Sequence, residues 1–168
     1  NPAVAEIAHR YFSFLDDSQA EVEVVLGDAR LSLQRESPQA FDVLVLDAFS
    51  GDAVPTHLLT KEACEVYLRH LRPDGVLAVH ISNRHLRLDP VLLRLAAEFR
   101  LVAARVKSPA QRARRVLAAD WMLLTRNREF LADERVREAA RNPQRSPQEA
   151  VPLWTDQYSN LFQILKVF

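Results

Sequence analysis

An α/β fold with a mainly parallel sheet is predicted by three features of this 168-residue sequence. Short apolar runs alternate with stretches of helical periodicity from Val22 to Val106. The run Val43-Leu44-Val45-Leu46 has no polar member, which predicts a strand buried on both faces, as in parallel sheets. The early strands end on polar residues: Asp28, Asp47 and the group Ser82-Asn83-Arg84. Right-handed crossovers would bring these ends to one edge of the sheet, where open α/β folds place their ligands.

The elements follow in order. Asn1 suits a helix N-cap and Pro2 a first turn. Val4, Ile7, Ala8, Tyr11 and Phe12 then give that helix one apolar face. Val22 to Leu26 is β-branched and predicts a strand, with Gly27-Asp28 at its tip and a helix onward to about Leu33. After a loop at Ser37-Pro38-Gln39, the central strand closes on Asp47, and a polar loop with Ser50, Gly51, Asp52 and Pro55 follows. A helix runs from Lys61 to Leu71, and Arg72-Pro73-Asp74-Gly75 predicts a turn. Val76 to Ser82 is the third strand. Asp89-Pro90 opens a helix whose apolar set is Val91, Leu92, Leu95, Ala96 and Phe99. Leu101–Val106 and Ala118–Thr125 have no obvious helix between them and predict an antiparallel pair at the sheet edge. A short helix over 127–140 precedes a tail with Pro143, Pro147, Pro152 and the aromatic segment Trp154 to Tyr158.

Composition narrows the class. The length fits one domain, residues 1–168, and 48% hydrophobic with 26% charged residues suits a globular protein with a real core. Lys plus Arg and Asp plus Glu are both 22, so the overall charge points to neither nucleic acid nor membrane. The segment from Lys107 to Arg115 is the local exception, with Arg112 and Arg114 and no acid; it reads as a solvated loop or as a patch for phosphate or an acidic partner. Cys64 is the single cysteine, which excludes an intrachain disulfide and reads as a packed thiol. No stretch approaches the roughly 18 apolar residues of a membrane span. The five histidines show no metal-binding spacing such as HExxH. His80, alternating within a strand, reads as packed, whereas His85 near the strand end reads as a surface or ligand-facing group. Ser50-Gly51 lacks the GxSxG frame of a nucleophile elbow. By spacing alone, Asp47 is either a turn or capping residue or a ligand-binding carboxylate.

Five segments together carry a resemblance: NPAVAEIAHRYF, VVLGDARLSL, FDVLVLDAFSGDAVPTHLLT, LRPDGVLAVHISNRHL and WTDQYSNLFQIL. Their order resembles the later part of the class I S-adenosylmethionine-dependent methyltransferase fold, and more narrowly the spermidine synthase-like (polyamine aminopropyltransferase) family. The resemblance implies a Rossmann-like sheet, mainly parallel with an antiparallel last strand, and a transferase of polyamine biosynthesis. It implies decarboxylated S-adenosylmethionine or S-adenosylmethionine as co-substrate, a small-molecule amine as acceptor, and no metal. Asp28 and Ala29 inherit the adenine contact, and Asp47 the removal of a proton from the attacking amine. Ser50, Asp52 and Tyr158 fall where the amine would bind, and Phe49 or Leu33 would stack on adenine. Trp154 and Tyr158 either line that pocket or anchor the tail.

Two departures qualify these expectations. In the family, a Gly-rich loop and a ribose-binding acid precede the matched part; here the three glycines, Gly27, Gly51 and Gly75, form no GxGxxG. The chain is therefore expected to be an N-terminally truncated domain, to bind nucleosides weakly, and to self-associate through its exposed sheet edge. The family also follows its catalytic Asp with Asp-Pro three residues on, where this sequence has Ser50, with Asp52 and Pro55 beyond it. Three functions follow: aminopropyl transfer, methyl transfer on the same fold, or a non-catalytic module. A cytoplasmic location, or a soluble domain of a larger membrane-attached protein, is expected.

Overall fold

The computed structural model describes residues 1–48, 55–141 and 151–166. The chain divides into two compact units, Asn1–Ser37 and Pro38–Phe168.

In the first unit, α1 (Pro2–Tyr11) begins as its caps dictate. The Asn1 side chain accepts the Ala3 amide and Pro2 occupies the first turn. Its apolar face is nonetheless exposed, with no buried residue in the helix. A second helix, α2 (Ala29–Arg35), starts at Asp28, whose carboxylate accepts the Leu31 amide at 2.9 Å. The strand expected at Val22–Leu26 is absent: residues 21–26 belong to no element, and Val22, Val24, Val25 and Leu26 are exposed. β-branched composition favours a pleated, half-buried surface, and this segment pairs with no strand that would supply one.

The second unit is built on a sheet. Its strands are β1 (Phe41–Leu46), β2 (Leu71–His80), β3 (Val102–Ser108), β4 (Ala119–Thr125) and the two-residue β5 (Ala140–Arg141), in the order β1-β2-β4-β3-β5. β1 and β2 are parallel, and β4 is antiparallel to both β2 and β3. Strands β1, β2 and β3 therefore run one way, and β4 is reversed and inserted between β2 and β3. The α/β sheet with a reversed last long strand is the one the sequence predicts; with β5 antiparallel to β3, the sheet is mixed, and β1–β2 is its parallel pair.

The expected turn at Arg72–Gly75 lies inside β2. Phe41 pairs with Leu71 but Val43 pairs with Val76, so these four residues bulge out of the ladder. Gly75 suits the bulge, because a Cβ there would come within 3.0 Å of the Phe41 carbonyl oxygen and 3.1 Å of that of Arg72. The Arg72 guanidinium bonds Asp42 at 2.6 Å across the same irregularity.

Helices cover both sheet faces. α3 (Lys61–His70), capped by Thr60, and α4 (Asp89–Glu98) bring Cys64, Tyr67, Leu92 and Leu95 against Leu46, Leu77, Val79 and Leu124. On the other face, α5 (Arg128–Ala132) and α6 (Glu134–Ala139) place Phe130 and Val136 near Val106 and Leu123. The single helix expected over 127–140 is broken at Asp133, whose extended backbone (ψ 132°) ends α5 and whose side chain caps α6. The expectation that β1 is buried on both faces fails. Leu44 and Leu46 are buried, but Val43 and Val45 are 54% and 58% exposed. β1 is the first strand in the sheet order, and its apolar run alternates in burial instead of being covered twice.

Cys64 is buried in the α3 packing, and burial pushes its thiol up to about 12. It therefore stays protonated at neutral pH, which suits a packed group and not a nucleophile. Trp154 is fully buried, and its carbonyl accepts the Lys61 amide at 2.8 Å. The tail is thus tied to the start of α3. No helix among the described residues is long and apolar enough to cross a membrane.

Candidate functional site at the strand tips

The parallel register of β1 and β2 builds the site. Leu46 pairs with Val79, so the next residues, Asp47 and His80, lie side by side at the C-terminal ends of the two strands. Side chains alternate across a strand, so Asp47 and His80 project from the same face. His80 Nδ1 lies 2.7 Å from Asp47 Oδ1, and His80 Nε2 lies 2.7 Å from Ser82 Oγ. An ionised carboxylate only accepts hydrogen bonds, so Nδ1–H is the donor to Asp47. Ser82 Oγ in turn accepts the Asp120 amide at 2.8 Å, which leaves its own hydrogen for Nε2 of a neutral His80.

The Trp121 ring stacks on His80 with centroids 4.7 Å apart, and Trp121 pairs with His80 across β2 and β4. This fixes the imidazole plane. His80 is 22% exposed and Asp47 53%, so the carboxylate stands open to a ligand while its partner is held in place. The order Ser82–His80–Asp47 matches a hydrolase triad. However, His80 and Ser82 are two apart along one chain segment, the spacing that alternation alone brings together, and the Asp120 amide already occupies the serine oxygen.

Beyond Ser82 the same edge opens into a groove of about 1640 Å³, lined by the β2–α4 connection, the ends of β3 and β4, and the tail. Asn83 shapes its near wall: its side-chain oxygen accepts the amides of His85 and Leu86 at 2.9 and 2.8 Å. Arg105 holds Asp120 in a fork through Nε and Nη2, and this hydrogen bonding raises the guanidinium above its ordinary value. The same guanidinium lies 3.7 Å from Asp89 at the start of α4.

The residues singled out by sequence are distributed as follows. Asp47 and the Ser82-Asn83 turn share one sheet edge. Asp28 and Ala29 belong to the first unit, where Asp28 caps α2 and Ala29 opens it. Leu33 is half-buried in that helix. Phe49, Ser50 and Asp52 lie outside the described residues. Tyr158 is exposed in a tight turn closed by the Thr155–Tyr158 pairing. That turn docks at the start of α3: the Thr60 hydroxyl donates to Asp156 at 2.8 Å, and Glu62 accepts the Asp156 amide at 3.0 Å. α3 follows β1, so its N-terminus and the turn lie toward the same strand-tip end. Trp154 anchors the tail, as one of its two readings held. His85 is exposed but lies outside the groove lining.

His80 is packed against Trp121, as its place within a strand predicts, and it also bonds Asp47 and Ser82, contacts the sequence reading does not name. The signal was available: it ends a strand parallel to the one closed by Asp47 and sits two residues before Ser82. Among the described residues no group of three or more His, Cys, Asp or Glu side chains is arranged to hold a metal.

Comparison with known proteins starts from a curated polyamine aminopropyltransferase of Vibrio vulnificus. The chain is 37% identical to it over 82 residues, which is 48% of this chain and 27% of that protein. Over about half of its length the chain is therefore similar to a polyamine aminopropyltransferase. A second relative is an N-terminal histidine N-methyltransferase of Emericella nidulans, 31% identical over 87 residues, or 49% of this chain and 15% of that protein. Among solved structures, a probable spermidine synthase of Corynebacterium glutamicum matches 87% of this chain and 62% of its own, with a TM-score of 0.56 and 23% identity. The spermidine synthase of Thermotoga maritima matches 89% of this chain and 52% of its own, with a TM-score of 0.57 and 16% identity. These structures share the Rossmann-like methyltransferase fold. The matches span about a quarter or less of the curated relatives' length and between half and two thirds of the structures. No family-wide sequence profile matches.

Proposed function

We propose that this chain is the acceptor-side part of an aminopropyltransferase, moving an aminopropyl group from decarboxylated S-adenosylmethionine to a small amine. The observation that carries the reading is Asp47, an open carboxylate at the tip of β1 held by His80 at 2.7 Å. The 37% identity to a polyamine aminopropyltransferase supports this reaction over methyl transfer.

The chemistry needs a proton acceptor. An ammonium has no lone pair, so the amine must lose a proton before it attacks. Its nitrogen then bonds the carbon next to the sulfonium, the carbon–sulfur bond breaks, and sulfur leaves as a neutral thioether. Asp47 takes the amine proton on the oxygen not engaged by His80. His80, fixed by Trp121 and Ser82, orients the carboxylate. Asp28 and Ala29 are assigned to the adenine, and Ser50, Asp52 and Tyr158 to the amine.

Product analysis tests this. The native-length protein, given decarboxylated S-adenosylmethionine and a panel of amines, is expected to release methylthioadenosine in step with an aminopropylated amine. Methylated product from ordinary S-adenosylmethionine, with no aminopropyl product, would replace this reading by the methyltransferase one.

A further inference from the structure

We propose that the groove beyond Ser82, joined to Asp47 through His80, takes an acceptor amine that also carries an oxyanion, a carboxylate or phosphate, rather than a simple polycationic polyamine. Only the placement of the amine at Asp47 rests on the transferase reading; the anion subsite stands on the groove itself.

Five cations and two carboxylates line this groove. Both carboxylates, Asp89 and Asp120, are drawn to Arg105, and Arg87 lies 3.9 Å from Asp89, so these four side chains balance one another. Arg84, Lys107 and Lys166 set the remaining charge. Lys166 donates to the Asn83 carbonyl at 2.6 Å, which fixes the ammonium at the groove wall without neutralising it. Arg84 and Lys107 are exposed at the rim. Lys107 lies 3.9 Å from Asp120, which Arg105 already forks.

A cleft whose net charge has one sign concentrates ligands of the other sign. A polyamine extending from Asp47 into this groove would meet like charge along its length, and such juxtaposition works against binding. A ligand with a positive amine at one end and an oxyanion at the other matches both halves: Asp47 for the amine, the cations for the anion. Ser82 joins the halves, since it lines the groove and bonds His80. Exposed Leu117 and Leu165 leave room for an apolar portion between the two ends.

Calorimetric titrations of the chain with pyrophosphate, citrate and spermidine test the subsite. Pyrophosphate or citrate is expected to bind more tightly than spermidine; the tighter of the two tells whether phosphate or carboxylate is the preferred anion. The double variant Arg84→Glu/Lys166→Glu is expected to weaken that binding at least about tenfold, as the loss of charge-assisted hydrogen bonds implies. Lys107→Glu, at a more remote exposed position, serves if the double variant does not fold, and should weaken binding in the same direction. Spermidine binding more tightly than both anions would overturn the proposal. So would anion binding unchanged by the variants, which would place the anions elsewhere, such as Arg112 and Arg114 of the β3–β4 loop. Anion binding without aminopropyl transfer would leave the subsite standing and sink the proposed reaction. Transfer to plain diamines without anion binding would do the reverse.

Discussion

Asp47→Asn is expected to lower turnover about 10²–10⁴-fold, the range a positioned general base contributes, with nucleoside affinity nearly unchanged. The substitution is close to isosteric. An Asn side-chain oxygen can still accept Nδ1–H of His80, so the 2.7 Å contact and the stacking on Trp121 survive. What is lost is basicity, because an amide does not take up the amine proton. Nucleoside contacts assigned to Asp28 and Ala29 are untouched. Single-turnover rates and a nucleoside titration on the same preparation separate the two effects. Unchanged turnover would remove Asp47 from the proton-accepting role, and a parallel loss of nucleoside binding would show that it acts through folding.

The second large effect is on stability. Trp154→Ala is expected to cost about 3–5 kcal/mol, the range for removing a large buried aromatic side chain. Trp154 is fully buried and is the largest such side chain among the described residues. Its carbonyl ties the tail to Lys61, and the next residues bond Thr60 and Glu62. A domain stable by about 5–15 kcal/mol would be left marginal. Trp154→Phe should cost much less. It keeps most of the volume and removes an indole N–H that has no hydrogen-bond partner among the described residues. Leaving such a donor buried costs about 1–3 kcal/mol, which offsets part of the lost packing. Urea midpoints of the three proteins check the order: native above Phe, Phe well above Ala. An Ala variant within about 1 kcal/mol of native, well below that range, would mean that the tail is not part of the core.

These residues also show how much was legible in the sequence. Local signals read well. Asn1, Thr60 and Asn127 cap helices because short polar side chains reach the free amides of a first turn. The polar tips of β1 and β2 follow from strands that run the same way, and the register then places Asp47 against His80. Where the sequence misled, the missing information was the neighbour. Val22–Leu26 has strand composition but pairs with no strand among the described residues. Val43 and Val45 are as apolar as Leu44 and Leu46, yet which side of β1 is covered depends on elements distant in sequence. His80 is packed as predicted, but its partners lie 33 residues away just past β1 and 41 residues away on β4, so the contacts themselves depend on the fold. The Asp133 break was invisible to helical periodicity, since an acid suits a helix start as well as a helix interior position near one.

The central claim is that the carboxylate at the tip of β1 receives the proton of the attacking amine. A crystal structure of the native-length protein with methylthioadenosine and an aminopropyl acceptor tests it most directly. The account predicts the reacting nitrogen within hydrogen-bond reach of Asp47, about 2.6–3.2 Å, with His80 still bonded to the other oxygen. An amine bound away from Asp47, with another carboxylate or imidazole at that distance, would contradict it.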